Sequence, residues 1–138
     1  MTETSALAEW IFEQMADAAI YADRSGAIVR WNHAAATLFG HSAAEALGQN
    51  LDLIIPERLR PAHWRGFEAA MASGVTKTHG RATLTSAMHK EGRKLYVEMT
   101  FALVVDNNGQ ACGSVAVARD VTARVEHERD VARHGGAI

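Results

Sequence analysis

The first apolar stripe of the chain has the spacing of a helix. It consists of Leu7, Trp10, Ile11 and Met15. The acidic residues of the same segment fall on other faces, so the pattern predicts an amphipathic helix. We assign residues 1–16 to this N-terminal flanking helix, ahead of a domain over residues 17–120.

A hairpin is predicted at the start of this domain. Two short apolar runs, Ala18–Ala22 and Ile28–Trp31, flank a turn sequence that ends at Gly26, which is typical of two strands around a tight reversal. The pattern then changes to helical spacing in two short segments, each followed by glycine. The longest helix is predicted over Pro61–Ser73, because proline is well tolerated at the first helical position.

The second half of the domain has the pattern of three strands. The first runs over Arg81–Ala87, and the last over Ala111–Ala118 after a strong reversal signal at residues 107–109. The middle strand has the cleanest alternation in the chain. Its apolar face carries Leu95, Val97, Met99, Phe101 and Leu103. These three strands are expected to form an antiparallel meander.

Residues 121–138 follow the last strand. Val121, Val125, Glu128 and Ala132 have a/d-like spacing among charged neighbours, which favours a helix that leaves the domain and carries a signal onward. A frayed tail is the alternative, since two turns of weak heptad are marginal alone. We expect the terminal glycines to belong to a disordered tail.

The order of elements defines the fold class. Two strands, several short helices and three further strands indicate an α+β domain. We expect a five-stranded antiparallel sheet with short helices covering one face, plus flanking helices at both ends. A ligand would then lie in a cavity between the sheet and the helices.

Length and charge narrow the functional classes. The 138 residues fit one domain with one sizeable core, and the net charge of −2 comes from interleaved acids and bases. Cys112 is the only cysteine, which excludes an internal disulfide, and no apolar stretch reaches the roughly 18 residues of a membrane span. We expect a cytoplasmic protein with no nucleic-acid or membrane partner.

Short motifs in a fixed order connect the chain with a known family. They are Asp23-Arg24-Ser25-Gly26, Ile28-Val29-Arg30-Trp31-Asn32, Phe39-Gly40, Pro56-Glu57-Arg58, His89-Lys90-Glu91-Gly92 and Arg119-Asp120-Val121-Thr122. No single motif is specific, but together they resemble the PAS family from about Ala18 to Arg124. The resemblance implies a sensory or dimerising module, a homodimer, and an effector domain in the same parent chain.

A sharper resemblance is to haem-binding PAS domains that sense oxygen or redox state, some of them in histidine kinases. Those domains carry the proximal haem histidine in a stretch similar to Pro56–His63, and counting on from His63 without a gap aligns the next motifs. Haem iron requires a neutral imidazole in an apolar slot. On a helix, His63 shares its face with Leu59, Phe67 and Ala70. The simpler alternative is a half-buried histidine without a ligand role.

Further site residues follow from the same resemblance. Met99 and Phe101 match the apolar distal positions, and Met99 is a candidate sixth ligand. Lys77 matches a basic partner of a haem propionate. Thr83 stands where some relatives place a basic residue over the iron, and Arg81 matches the distal methionine of another relative and could donate a hydrogen bond to bound gas.

Other chemistries receive less support from the sequence. The remaining histidines lack zinc-site spacing, and there is no phosphate loop, nucleophile elbow or paired acid and base, so we expect no catalysis within this chain. Cys112 falls in a predicted strand rather than on a central helix, so no flavin adduct is expected. The second functional hypothesis is a haem-free PAS domain that dimerises, through Trp10 and Ile11, or binds a small metabolite.

Overall fold

Five antiparallel strands form one sheet in the computed structural model, which describes residues 3–135. The strands are β1 (Ala18–Asp23), β2 (Ile28–Trp31), β3 (Thr83–Met88), β4 (Lys94–Val105) and β5 (Ala111–Asp120). Their order across the sheet is β2-β1-β5-β4-β3, and every neighbouring pair is antiparallel. The first and last strands of the chain therefore pair at the centre of the sheet.

The helices between β2 and β3 supply the second layer. The helical elements are α1 (Glu3–Gln14), α2 (His33–Phe39), α3 (Ala43–Ala46), the 3₁₀ turns Leu51–Leu53 and Glu57–Leu59, α4 (Arg60–Ser73) and α5 (Thr122–Gly135). Phe39 of α2 is completely buried against the sheet core that contains Ile20, Leu95 and Val97. The predicted α+β class, five-stranded sheet and helical face are confirmed.

Local signals in the sequence explain how α2 and α3 begin. The Asn32 side chain accepts hydrogen bonds from the backbone N–H groups of Ala35 and Ala19, both at 2.9 Å, so it caps α2 and binds β1. Ser42 and Glu45 form the reciprocal capping box at the start of α3.

The alternation of β4 divides its residues between two environments. Leu95, Val97 and Met99 are buried under the helical layer, whereas Thr100 lies on the opposite face, where it pairs with Val117 of β5. Because successive side chains of a strand point to opposite faces, the hydrophobic pattern alone fixes which face meets the core. This prediction is confirmed.

Several element boundaries differ from the expectation by one or two residues, and the differences at the start of β3 and at the end of α5 have structural consequences. The strand predicted over Arg81–Ala87 begins at Thr83, because left-handed backbone at His79 and Gly80 turns the chain just before it and pairing with β4 starts at Thr83 opposite Met99. The outgoing helix continues through Gly135, beyond the point where a tail was expected. The rest of the predicted tail, residues 136–138, lies outside the described residues.

Candidate functional site

A cavity of about 430 Å³ lies between the sheet and α4. Small side chains on the inner sheet face, including Ala22, Ala87 and Ala116, line it and leave room that larger residues would fill. The remaining lining is mostly aliphatic and aromatic, and the volume is within the usual range for a small-molecule site. The predicted cavity between sheet and helices is therefore present.

His63 is the titratable residue on the helical wall of this cavity. Its Nδ1 atom is shielded from solvent and has no hydrogen-bond partner. Burial lowers the pKa of the imidazole from 6.5, although the charge of Asp52 acts in the opposite direction. The ring is therefore neutral near pH 7, which is the form that binds metal ions.

Aromatic contacts hold the His63 ring on α4. Its centroid lies 4.6 Å from the Trp64 ring in an edge-on arrangement and 6.0 Å from the Phe67 ring. Trp64 in turn donates a hydrogen bond from Nε1 to the Asp52 carboxylate at 2.8 Å. A Cβ atom at Gly26 would collide with the Trp64 ring, so glycine at this turn allows α4 to approach the sheet.

Most of the predicted site residues meet at this cavity. Its lining includes Leu59, His63, Phe67, Lys77, Thr83, Met99 and Phe101. Met99 is 6% exposed and reaches the cavity from β4. Thr83 reaches it from β3, and its hydroxyl donates to the Met99 carbonyl oxygen at 3.5 Å. The proposed proximal and distal residues thus line one cavity, on the helical and the sheet side respectively.

Two predicted residues lie elsewhere. Ala70 lines a second, adjoining cavity of about 190 Å³ rather than the larger one. Arg81 is exposed and is not among the residues that line either cavity. Its Nε donates to the Thr78 carbonyl at 3.2 Å. The same tight turn that delays the start of β3 keeps Arg81 outside the cavity walls.

Sequence reasoning missed the residues that complete the smaller cavity. Thr76, Thr78 and Ser114 line it, and the Thr78 hydroxyl is buried without a partner. Ser114 has a signal that could have been noticed, because it is a polar residue on the inward-facing register of β5 beside Ala116 and Ala118. The two threonines lie in an irregular segment without periodicity, which gave no such signal.

Cys112 is on β5, as expected. Its Sγ donates to the Val104 carbonyl at 3.2 Å, and the Tyr21 hydroxyl donates to the Cys112 carbonyl at 3.2 Å.

Within residues 3–135, no group of three or more His, Cys, Asp or Glu side chains is arranged to hold a metal ion. In the same part of the chain, no helix is long and apolar enough to cross a bilayer.

The C-terminal helix α5 and the residue before it are bonded directly to β4. The Tyr96 N–H donates to the Thr122 hydroxyl at 2.9 Å, and the Val121 N–H donates to the Tyr96 carbonyl at 2.8 Å. Arg124 of α5 forms an ion pair with Glu98 of β4 at 2.6 Å. The strand that lines the cavity with Met99 and Phe101 therefore also holds the outgoing helix.

A sheet and a helical layer that enclose an apolar cavity, with flanking helices at both ends, define an α+β class of domain with an internal cavity. A family model described as the PAS fold matches residues 8–121. The chain belongs to the PAS family, whose members are generally sensory modules in signal transduction.

Individual relatives agree with this assignment. An uncharacterised protein of Azorhizobium caulinodans is 32% identical over 85% of the chain, the oxygen sensor protein DosP of Escherichia coli is 27% identical over 75%, and the signal transduction histidine-protein kinase AtoS of Escherichia coli is 26% identical over 96%. The matched regions are 16%, 14% and 21% of those proteins. The chain thus spans about a fifth or less of these relatives.

Solved structures support the fold. The PAS domain of a Colwellia psychrerythraea protein superposes with a TM-score of 0.76 at 21% identity, covering 88% of this chain and 99% of that one. An RNA-binding light-oxygen-voltage receptor gives the same TM-score at 23% identity over 96% of this chain and 37% of that one. At these identities the superpositions establish the architecture alone.

Proposed function

We propose that this PAS domain binds haem through His63 and senses a diatomic gas or a redox state for an effector domain in the same chain. The observation that supports it best is the neutral imidazole of His63, with its unpartnered Nδ1, on the wall of an apolar cavity. The 27% identity with an oxygen sensor protein agrees with this proposal.

The residues around the cavity fit such a group. The donor set is one neutral histidine, with the thioether of Met99 available from the sheet side, and imidazole with thioether is a known axial pair. The apolar walls suit the faces of a porphyrin, and exposed Lys77 at the wall suits a propionate. Haem would supply an iron that takes up a gas molecule or an electron.

We further propose that the signal travels through β4. A shift of Met99 or Phe101 at the cavity displaces the same strand that holds α5 through Tyr96 and Glu98. Such coupling requires that the occupied cavity favours one packing of α5 over another. The histidine kinase among the relatives supports an effector that receives this signal.

The test is the visible absorption spectrum of the purified chain after hemin is added. We expect a sharp Soret band in the wild type, and its loss or displacement in His63→Ala, because the substitution removes the axial nitrogen. His127→Ala is the matched control, since His127 is exposed on α5 and should leave the band unchanged. Circular dichroism of each variant establishes that it is folded.

Identical spectra in the wild type and in folded His63→Ala would contradict ligation by His63. A folded wild type without a specific band would instead favour the second candidate, a haem-free PAS domain that dimerises or binds a metabolite. One observation favours that candidate: α1 presents Leu7, Trp10 and Ile11 to solvent, with exposures of 51%, 57% and 59%. An apolar stripe of this kind is typical of a helix that packs against a partner.

A further inference from the structure

Polar side-chain atoms without hydrogen-bond partners lie at the smaller cavity. Within residues 3–135, two buried side-chain polar atoms have no hydrogen-bond partner, His63 Nδ1 and Thr78 Oγ1. Both residues line this cavity of about 190 Å³. Buried polar groups are almost always hydrogen-bonded in folded proteins, so two such atoms at one cavity indicate that a polar group from outside the chain binds there.

The charge of the lining limits what that group can be. Lys77 is the one charged residue on the wall, and no acidic residue lines either cavity in the described part of the chain. A lysine ammonium and a threonine hydroxyl both donate hydrogen bonds, and a neutral imidazole can donate from one nitrogen. A group that only accepts hydrogen bonds and carries a negative charge satisfies all three.

The remainder of the wall is hydrocarbon. Phe67, Met71 and Leu103 line the cavity beside the polar residues. The volume is below the roughly 300 Å³ at which drug-sized ligand sites begin, so the occupant is a small molecule of a few carbon atoms. A polar end for the donors and a short apolar end for these side chains define an amphipathic ligand.

We propose that the smaller cavity binds a short-chain monocarboxylate. Its carboxylate accepts hydrogen bonds from Thr78, His63 and Lys77, and its hydrocarbon end packs against Phe67 and Leu103. The smaller cavity shares His63, Phe67 and Lys77 with the wall of the larger one and adds Thr78, which the larger cavity lacks. Binding of the carboxylate needs no porphyrin. The parent protein would then respond to an organic acid.

Isothermal titration calorimetry with butyrate, before any hemin is added, tests the proposal. Butyramide is the matched neutral probe, since it has nearly the same shape but no charge. We expect butyrate to bind at least tenfold more tightly than butyramide. Equal affinities for the two, or no binding of butyrate, would overturn the proposal.

Variants identify the residues of the site. Thr78→Val should weaken butyrate binding about tenfold or more, because a hydrogen bond to a charged group is lost, while Thr78→Ser should retain binding near the wild-type level. Thr100→Val is the control, since Thr100 faces away from both cavities on β4. Unchanged affinity in Thr78→Val would exclude this site even if butyrate bound elsewhere.

The outcome of the butyrate titration is independent of the haem test. The haem proposal fails if the Soret band does not depend on His63 or if no band forms. Neither result affects the butyrate titration, because that titration uses the chain without hemin.

Lys77→Gln should weaken butyrate binding severalfold, whereas Lys94→Gln, at the start of β4, should leave it unchanged. Equal affinities in these two variants would remove Lys77 from the site and contradict the carboxylate assignment.

Discussion

At the scale of single residues, Asn32 is a buried polar side chain whose hydrogen bonds connect separate segments of the fold. It is 1% exposed, and its amide nitrogen donates to the carbonyls of Phe12 and Asp17 while its oxygen accepts from two backbone N–H groups. One side chain therefore joins the last turn of α1, the segment after it, the first strand and the start of α2. Replacement leaves several buried backbone groups without partners.

We predict that Asn32→Ala lowers the free energy of unfolding by about 2–4 kcal/mol, from a lost helix cap plus unsatisfied buried groups. Urea denaturation monitored by circular dichroism measures the change. His33→Ala is the control, because the neighbouring His33 side chain is exposed and its removal should alter stability by at most about 0.5 kcal/mol. A similar small effect for Asn32→Ala would contradict the assigned hydrogen bonds.

Glu45 provides a prediction about pH. Its ion pair with Lys90 and hydrogen bonds from Ser42 lower the carboxyl pKa from 4.5 to about 2. A folded-state pKa below the unfolded value means that Glu45 stabilises the fold above pH 4.5 and that this contribution disappears as pH falls towards 2. Because the carboxylate is exposed, the contribution is small and is screened by salt.

The expected result is that Glu45→Gln is less stable than the wild type at pH 6 and that the difference narrows progressively between pH 4.5 and 2. Urea midpoints measured across this range at low ionic strength provide the test. Glu68→Gln, at an exposed position of α4, should follow the wild type throughout. A difference between Glu45→Gln and wild type that did not depend on pH would exclude the Lys90 pair as its source.

At the scale of elements, hydrogen bonds and an ion pair define the junction between β4 and α5. Thr122 accepts a hydrogen bond from the Tyr96 N–H, and its own N–H donates to the Asp120 carboxylate at 2.9 Å. The Asp120 carboxylate therefore accepts a hydrogen bond from the first residue of α5. Since Tyr96 belongs to the strand that lines the cavity, Thr122 connects that strand to the start of α5.

We predict that Thr122→Val leaves the core folded but loosens α5, because the Tyr96 N–H loses its partner at a cost of about 1–2 kcal/mol. Amide hydrogen exchange should accelerate in Thr122–Gly135 and remain slow in β1 and β5. Thr100→Val, on the outward face of the same strand, should leave the exchange of α5 unchanged. Equal acceleration in the core and in α5 would instead indicate general destabilisation.

Local elements differed in how well they could be predicted from the sequence. α2 and α3 were readable because side chains of their own sequence cap them, and these interactions act over three residues. The turn before β3 was not, because left-handed backbone at His79 gives no local sequence signal. This one turn accounts for the late start of β3, and it keeps Arg81 away from the cavity that includes Thr83.

At the scale of the whole molecule, the arrangement of α4 depends on contacts between distant segments. Trp64 is held by Asp52, twelve residues earlier, and needs the absence of a side chain at Gly26, in the first hairpin. These contacts position His63 against the sheet. Helical periodicity could predict which face of α4 carries His63, but not how closely that face would approach β4 and β5.

The sequence by itself determined the strands, their inward faces and the family, because alternation, caps and turns are local and repeat at fixed spacing. It also identified seven residues that line the larger cavity, from Leu59 to Phe101. Only the tertiary structure decided that Thr78 and Ser114 share a second cavity with His63 and that Arg81 lies outside both. Cavities form where packing between segments far apart in sequence is incomplete, and no local sequence pattern encodes how closely such segments approach each other.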